Sequence, residues 1–65
     1  MADRYWDLDG GPGDRHRILL DEKGEWWGWE NVNPRDKYRL TEALLRGATR
    51  WNHYTVTALE ASAVT

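Results

Sequence analysis

The sequence predicts an α+β fold: a small antiparallel sheet of three or four strands with one helix packed on one face, in the order β-β-β-α-β. Three observations favour this class. Residues 15–32 place two apolar runs on either side of a turn, as a β-hairpin does. Residues 34–47 repeat apolar side chains at helical spacing, and residues 51–59 are rich in β-branched and aromatic residues. A chain of 65 residues is expected to form one domain, 1–65.

Tryptophan dominates the aromatic composition. The chain has five Trp and no Phe, so indole rings must supply much of the core. It has no Cys, which excludes disulfides and thiolate metal ligands. Five indoles exceed what so short a chain is expected to enclose, and the surplus indicates a surface that contacts another molecule.

Charge and hydropathy exclude several classes of protein. The net charge of −2 argues against a dedicated nucleic-acid binder. No apolar run approaches the roughly 20 residues needed to span a bilayer, and the N-terminus lacks a secretion-signal pattern. We expect no membrane partner and a cytoplasmic location, or a place in a particle assembled inside the cell. Seven Arg against two Lys suggest a GC-rich bacterium or its phage.

The first segment, 1–14, predicts a strand followed by a Gly- and Asp-rich loop. Trp6 and Leu8 alternate toward one face of a strand at 4–8. The loop 9–14 has three glycines and a proline. Its aspartates suggest calcium ligands, but their spacing fits no EF-hand loop, and a solvated turn is the favoured interpretation.

The tryptophan-rich hairpin, 15–32, turns at residues 21–24. Asp21 suits the first position of a type I turn, and Gly24 suits the left-handed residue that follows it. With Gly24 as the bulge, the predicted pairs are Leu20–Trp26, Leu19–Trp27, Ile18–Gly28, Arg17–Trp29 and His16–Glu30. Glycine at position 28 leaves room for a neighbouring ring or backbone.

This register divides the hairpin into two faces, because side chains alternate along a strand. One face carries His16, Ile18, Leu20, Trp26, Glu30 and Val32. The other carries Arg15, Arg17, Leu19, Trp27 and Trp29, and a slip of one residue would exchange the two. Arg17 opposite Trp29 would allow a cation–π contact.

The second face is the predicted protein-binding site if the first face packs against the helix. Trp and Arg are enriched among the residues that dominate binding energy at interfaces. The partner is another protein or a second copy of this chain. In the alternative, a terminal strand or the acidic N-terminal segment covers the face and completes a second small core. The predicted function is a non-enzymatic interaction module: an accessory or regulatory factor of a bacterium or phage, or a small subunit of a larger particle.

The helix has clear predicted ends. Asn33 is a preferred N-cap, Pro34 suits the first helical position, and Gly47 suits a left-handed C-cap, so the helix should run to about Arg46. The apolar stripe expected to face the sheet is Tyr38, Leu40, Thr41, Leu44, Leu45 and Ala48.

A second candidate site lies on the opposite side of this helix. Three arginines, Arg35, Arg39 and Arg46, would lie there, with Arg50 on the same side if the helix continues. These four side chains could neutralise phosphates. Such a stripe is more often the solvated side of an amphipathic helix. Exposed aromatics and arginines together are the components of a single-strand binding surface, so nucleic-acid binding is the alternative function. The rings and these arginines are expected on different sides of the domain.

The last segment predicts a strand at 51–59 and a tail at 60–65. A short helix beginning at Thr57, with Glu60 completing a capping box, is the competing interpretation. His16 and His53 lack the spacing of metal ligands, and no nucleophile motif is present. We therefore expect no enzyme, no cofactor and no metal.

Overall fold

The computed structural model describes residues 3–60 and residue 62, and in this part of the chain it has five strands and one helix. They are β1 (Arg4–Asp9), β2 (Arg15–Leu20), β3 (Trp26–Trp27), α1 (Pro34–Leu45), β4 (Arg50–Trp51) and β5 (Tyr54–Leu59). The strands form one antiparallel sheet in the order β3-β2-β1-β5-β4. The α+β class is confirmed, with one strand more than the largest number expected.

The core lies between one face of the sheet and α1. Every second residue of the long strands points into it, as the alternation of a strand requires. The buried cluster consists of Trp6, Leu8, Ile18, Leu20, Tyr54 and Val56 from the sheet and Leu40 and Leu44 from the helix. The predicted shared face of Trp6 and Leu8 on β1 is therefore confirmed, and it is the buried face. Trp26, Trp29 and Trp51 pack at the margin of this cluster, partly buried.

The turn of the β2–β3 hairpin matches its prediction. The backbone N–H of Asp21 donates to the carbonyl of Glu25 at 2.9 Å, and Gly24 has φ +85°. Leu20 pairs with Trp26, and Leu19 pairs with Trp27.

Strand pairing in this hairpin then ends at Trp27, so the three predicted pairs beyond it are wrong. Gly28 has φ +105°, which turns the chain out of the ladder. A Cβ atom at this position would overlap the carbonyl oxygen of Arg17, so the predicted close approach of a neighbouring backbone at Gly28 is confirmed.

The helix ends are set by the expected caps. The side chain of Asn33 accepts a hydrogen bond from the backbone N–H of Asp36 at 2.9 Å. At the other end α1 stops at Leu45, Arg46 is the C-cap, and Gly47 has φ +80°. The backbone N–H of Ala48 donates a hydrogen bond to the carbonyl of Ala43 at 3.0 Å. This bond satisfies a carbonyl of the last helical turn.

The predicted apolar stripe of the helix is partly wrong. The residues of α1 that are buried are Leu40, Ala43 and Leu44. Tyr38 is 70% exposed and Leu45 is 53% exposed. At about 100° of rotation per residue, both point roughly opposite to Leu40, so they lie on the solvent side of the helix. Ala43 is the core position that the prediction missed, because a small side chain is a weak apolar signal.

The predicted strand at 51–59 is a hairpin. Asn52 has φ +52°, a conformation that asparagine tolerates, and the chain reverses at Asn52 and His53 so that Trp51 pairs with Tyr54. The strand β5 then continues to Leu59, so the competing helix from Thr57 is wrong. Of the predicted tail, only Glu60 and Ser62 belong to the described residues. In the described part of the chain, no helix has the length and apolarity to cross a membrane.

Candidate functional site

The face of the sheet opposite α1 is the candidate site, and we call it the helix-free face. The alternation of the strands places on it the side chains that do not point into the core. These are Tyr5, Asp7, Asp9, Arg15, Arg17, Leu19, Trp27, Arg50, Thr55, Thr57 and Leu59.

Four apolar side chains cross this face in one line. The strand register pairs Leu19 with Trp27 on one side and with Tyr5 on the other, and Tyr5 also pairs with Leu59. We call this line, Trp27–Leu19–Tyr5–Leu59, the apolar row. With neighbouring strands about 4.8 Å apart, the row extends for about 14 Å. Trp27, at its end, is 52% exposed.

The indole of Trp27 is held in place by Asp21. Its Nε1–H donates to Oδ2 of Asp21 at 3.0 Å. The other oxygen of this carboxylate accepts hydrogen bonds from the backbone N–H groups of Lys23 and Glu25, at 2.9 and 2.8 Å. The indole hydrogen bond, and after it the backbone hydrogen bonds, lower the pKa of Asp21. An exposed ring fixed in this way loses less conformational freedom when a partner covers it.

Ion pairs occupy the face beside the apolar row. Arg17 donates to both oxygens of Asp7, from Nε at 2.8 Å and from the terminal nitrogen Nη2 at 3.1 Å. This hydrogen bonding lowers the pKa of Asp7. On the same two strands, the Nε atom of Arg15 lies 3.3 Å from Oδ1 of Asp9. The predicted site residues Arg15, Arg17, Leu19 and Trp27 are thus together on one face.

Trp29 is the predicted site residue that the structure does not place there. Its ring stacks on the imidazole of His16, with 4.0 Å between centroids and 7° between planes. It also meets Tyr54 edge-on at 5.2 Å. The prediction of a shared face for Trp27 and Trp29 is wrong, because the positive φ of Gly28 ends the alternation between them. The predicted cation–π contact between Arg17 and Trp29 is accordingly replaced by the ion pair with Asp7.

Tyr5 and Leu59 are members of the apolar row that sequence reasoning did not assign to the site. Alternation places Tyr5 on the face of β1 away from the Trp6 side chain, and it places Leu59 on the face of β5 away from the Tyr54 side chain. Their place in one row with Leu19 follows only from β1 lying between β2 and β5.

A second cluster surrounds the carboxylate of Asp14, in the loop predicted to be a solvated turn. Oδ1 lies 2.9 Å from Nε2 of His16 and accepts the hydroxyl of Tyr54 at 2.9 Å, while Oδ2 lies 2.8 Å from Nε2 of His53. These hydrogen bonds, that of His53 first, lower the pKa of Asp14 to about 2. The predicted pairing of His16 with Glu30 is therefore wrong.

The geometry of this Asp14 cluster gives it a structural role. An ionised carboxylate only accepts hydrogen bonds, so both imidazoles donate to it from Nε2. The cluster ties the loop before β2 to the turn between β4 and β5. Among the described residues, no group of three or more acidic, His or Cys side chains is arranged to hold a metal ion.

The four predicted phosphate-binding arginines are exposed but do not form one surface. Arg35 and Arg39 lie on α1 and Arg46 is its C-cap, whereas Arg50 lies on β4 and shares the helix-free face with Thr55. Within residues 3–60 and 62, none of the four has an acidic side chain at ion-pair distance.

No protein-family model, no curated protein and no solved structure matches this chain. Support for a function therefore comes from the geometry of the helix-free face.

Proposed function

We propose that this protein is a non-enzymatic interaction module that binds a protein partner through the helix-free face. The observation that carries the proposal is the apolar row, which crosses four strands on the side of the sheet away from α1. The role that fits it is that of an accessory or regulatory factor of a bacterium or phage, or of a small subunit of a larger particle, acting in the cytoplasm.

The apolar row combines residue types that are common at the centre of protein interfaces with an aromatic ring that is already held in one orientation. Trp and Tyr bury much area for few rotatable bonds, and such residues commonly lose about 2 kcal/mol or more of binding energy when truncated at a hot spot. Trp27 is exposed and already oriented by Asp21. The pairs Arg17–Asp7 and Arg15–Asp9 supply a polar rim next to it, as protein interfaces usually have.

Two exposed aromatic residues provide a matched test. Trp27→Ala removes an exposed ring from the helix-free face, and Tyr38→Ala removes an even more exposed ring from the solvent side of the helix. A partner is captured with the wild-type protein from a lysate of the source organism, purified, and titrated against all three proteins. We expect Trp27→Ala to weaken binding at least tenfold and Tyr38→Ala to leave it unchanged. Equal effects of the two substitutions, with both variants folded, would overturn the proposal.

The alternative proposal is nucleic-acid binding through exposed Trp and Arg side chains. It is favoured by the four exposed arginines, Arg35, Arg39, Arg46 and Arg50. Against it, three of them lie on the helix side, away from the apolar row. A titration with random single-stranded oligonucleotides at low and high salt tests it, since binding to phosphates must weaken steeply with salt. Absence of salt-sensitive binding at micromolar protein would exclude it.

A further inference from the structure

The indole of Trp27 has no hydrogen-bonding group left for a partner. Its one donor, Nε1–H, is directed at Oδ2 of Asp21 at 3.0 Å. Indole has no acceptor, so the part of the side chain that a partner can contact is the apolar ring. Trp27 is also the most exposed of the four residues of the apolar row. Whatever binds there meets a large apolar surface with no free polar atom.

Asp21 is itself fixed by the turn. Its second oxygen, Oδ1, accepts the backbone N–H groups of Lys23 and Glu25 at 2.9 and 2.8 Å, and its carbonyl accepts the N–H of Gly24 at 3.0 Å. A carboxylate restrained by its own backbone contacts also restrains the ring that donates to it. Asp21 lies in the turn and outside the apolar row, so it orients the ring without being part of the row.

The charged groups beside the row are neutralised within the chain. Arg17 donates to both oxygens of Asp7, and Arg15 lies at ion-pair distance from Asp9. These two arginines and two aspartates together carry no net charge. A partner that covers the row therefore has no excess charge to balance at these four residues, and an uncharged surface is the complementary one.

We propose that Asp21 is a positioning residue of this binding site and sets its specificity, because it orients the Trp27 ring and occupies the indole N–H, so that the face selects an uncharged, apolar surface of a protein partner. This inference rests on the proposed function, since it concerns the same face. A partner that aimed a hydrogen-bond acceptor at the indole would leave that acceptor unpaired in the interface, which is unfavourable. A partner that covers the ring with apolar groups gains from a side chain that is already ordered.

Asp21→Asn separates ring positioning from turn formation. Asparagine keeps an oxygen that can accept the N–H groups of Lys23 and Glu25, and it is a favoured turn residue. Its amide nitrogen donates where Oδ2 of the aspartate accepts, so it cannot hold the indole N–H. Asp21→Ser, which also suits the turn and is too short to reach the ring, is the second variant should the first not fold. Asp36→Asn makes the same change of charge on α1 and is the control.

Trp27→Phe shows whether Asp21 acts through the ring. Phenylalanine keeps an apolar ring and has no N–H for the carboxylate to accept. If Asp21 acts by holding the indole, Asp21→Asn has no further effect on binding in the Trp27→Phe background. If Asp21 acts only as part of the turn, Asp21→Asn weakens binding equally in both backgrounds.

A library of random peptides displayed on phage is the probe. Peptides are selected on the wild-type protein, depleted on Trp27→Ala, synthesised and titrated against each folded variant. We expect apolar peptides without net charge, whose affinity changes less than about twofold between low and high salt. Asp21→Asn and Asp21→Ser should weaken their binding roughly two- to tenfold and shift the indole N–H resonance of Trp27, and Asp36→Asn should do neither.

Three results would overturn the inference. They are a selection without any peptide that requires Trp27, peptides that are charged and bind in a salt-sensitive way, and equal losses on Asp21→Asn with and without the indole. The proposed function is decided separately, by the purified foreign partner. A partner whose binding is weakened by Trp27→Ala and left unchanged by Asp21→Asn would support the proposed function and show that this inference is wrong.

Discussion

Nε2 of His53 lies 2.8 Å from Oδ2 of Asp14, although 39 residues separate them in the sequence. The same carboxylate also holds His16 and Tyr54. One acidic side chain thereby joins the loop between β1 and β2 to the turn between β4 and β5.

Asp14→Asn should make the protein less sensitive to acid. The pKa of Asp14 is lowered from 3.8 to about 2 in the folded protein by its hydrogen bonds. The stability it contributes is therefore complete above about pH 4 and lost as the pH falls through about 2. We expect the variant to be less stable than wild type at neutral pH and the difference to disappear near pH 2.

Denaturant unfolding of both proteins from pH 7 to pH 2 measures this difference. Asp7 and Asp21, whose pKa values are also lowered, remain in both proteins, so both should still lose some stability in acid. Stability curves that run parallel down to pH 2 would contradict the prediction.

Gly28→Ala should destabilise the fold more than Gly11→Ala. The two glycines have similar positive φ values, +105° and +115°, so an alanine is strained at both positions. A Cβ atom at Gly28 overlaps the carbonyl oxygen of Arg17, whereas nothing lies within 4 Å of one at Gly11. We expect Gly11→Ala to cost roughly 1–2 kcal/mol and Gly28→Ala at least about 1 kcal/mol more. Thermal unfolding measures the stability of both variants. Equal losses of stability would show that the backbone of β2 does not lie close to Gly28.

Leu44→Ala and Leu45→Ala should differ sharply although the residues are adjacent. Leu44 is buried against the sheet, and Leu45 is 53% exposed. Leu44→Ala should lower the free energy of unfolding by about 2–5 kcal/mol, which is most of the stability of a domain this small. Leu45→Ala should lower it by less than about 0.5 kcal/mol. Circular dichroism during denaturant unfolding measures both. Similar losses of stability in the two variants would mean that α1 packs against the sheet through a different face.

Thr41→Val should weaken the contact between the β3 edge and the helix. The indole Nε1–H of Trp26 donates to Oγ1 of Thr41 at 2.6 Å, and that hydroxyl donates to the carbonyl of Lys37 at 2.8 Å. Valine keeps the shape and removes the acceptor, which should cost about 1 kcal/mol for this half-buried indole.

Thr57→Val, at an exposed position of β5, is the control and should change stability by less than about 0.5 kcal/mol. The indole N–H resonance of Trp26 should shift in Thr41→Val and stay in place in the control. An unchanged resonance in Thr41→Val would show that the hydrogen bond is absent.

Local signals explain what the sequence could predict. The Asp21–Gly24 turn depends on a side chain and a left-handed residue within four positions. The caps Asn33 and Gly47 act within one helical turn. Alternation placed Trp6 and Leu8 on the same face, which is the buried one, without any knowledge of neighbouring strands. Class, turn and helix ends all follow from contacts of this short range.

Two features that escaped prediction, the apolar row and the Asp14 cluster, depend on contacts between distant segments. The apolar row exists because β1 lies between β2 and β5, and nothing local in Tyr5 or Leu59 reports that order. The Asp14 cluster joins two segments that lie 39 positions apart. The predicted position of Trp29 was wrong for a local reason. Gly28 has a positive φ, which a strand pattern cannot anticipate.

The first strand of the chain is the middle strand of the sheet. During synthesis, β1 can pair with β2 early, but its other edge stays open until β5 has left the ribosome. At roughly 5–20 residues per second this takes several seconds, during which the nascent chain presents Trp6 and Leu8 without the Tyr54 and Val56 that later cover them. The sheet therefore cannot be complete until β5 has been made, and chaperones that bind apolar segments have that interval in which to act.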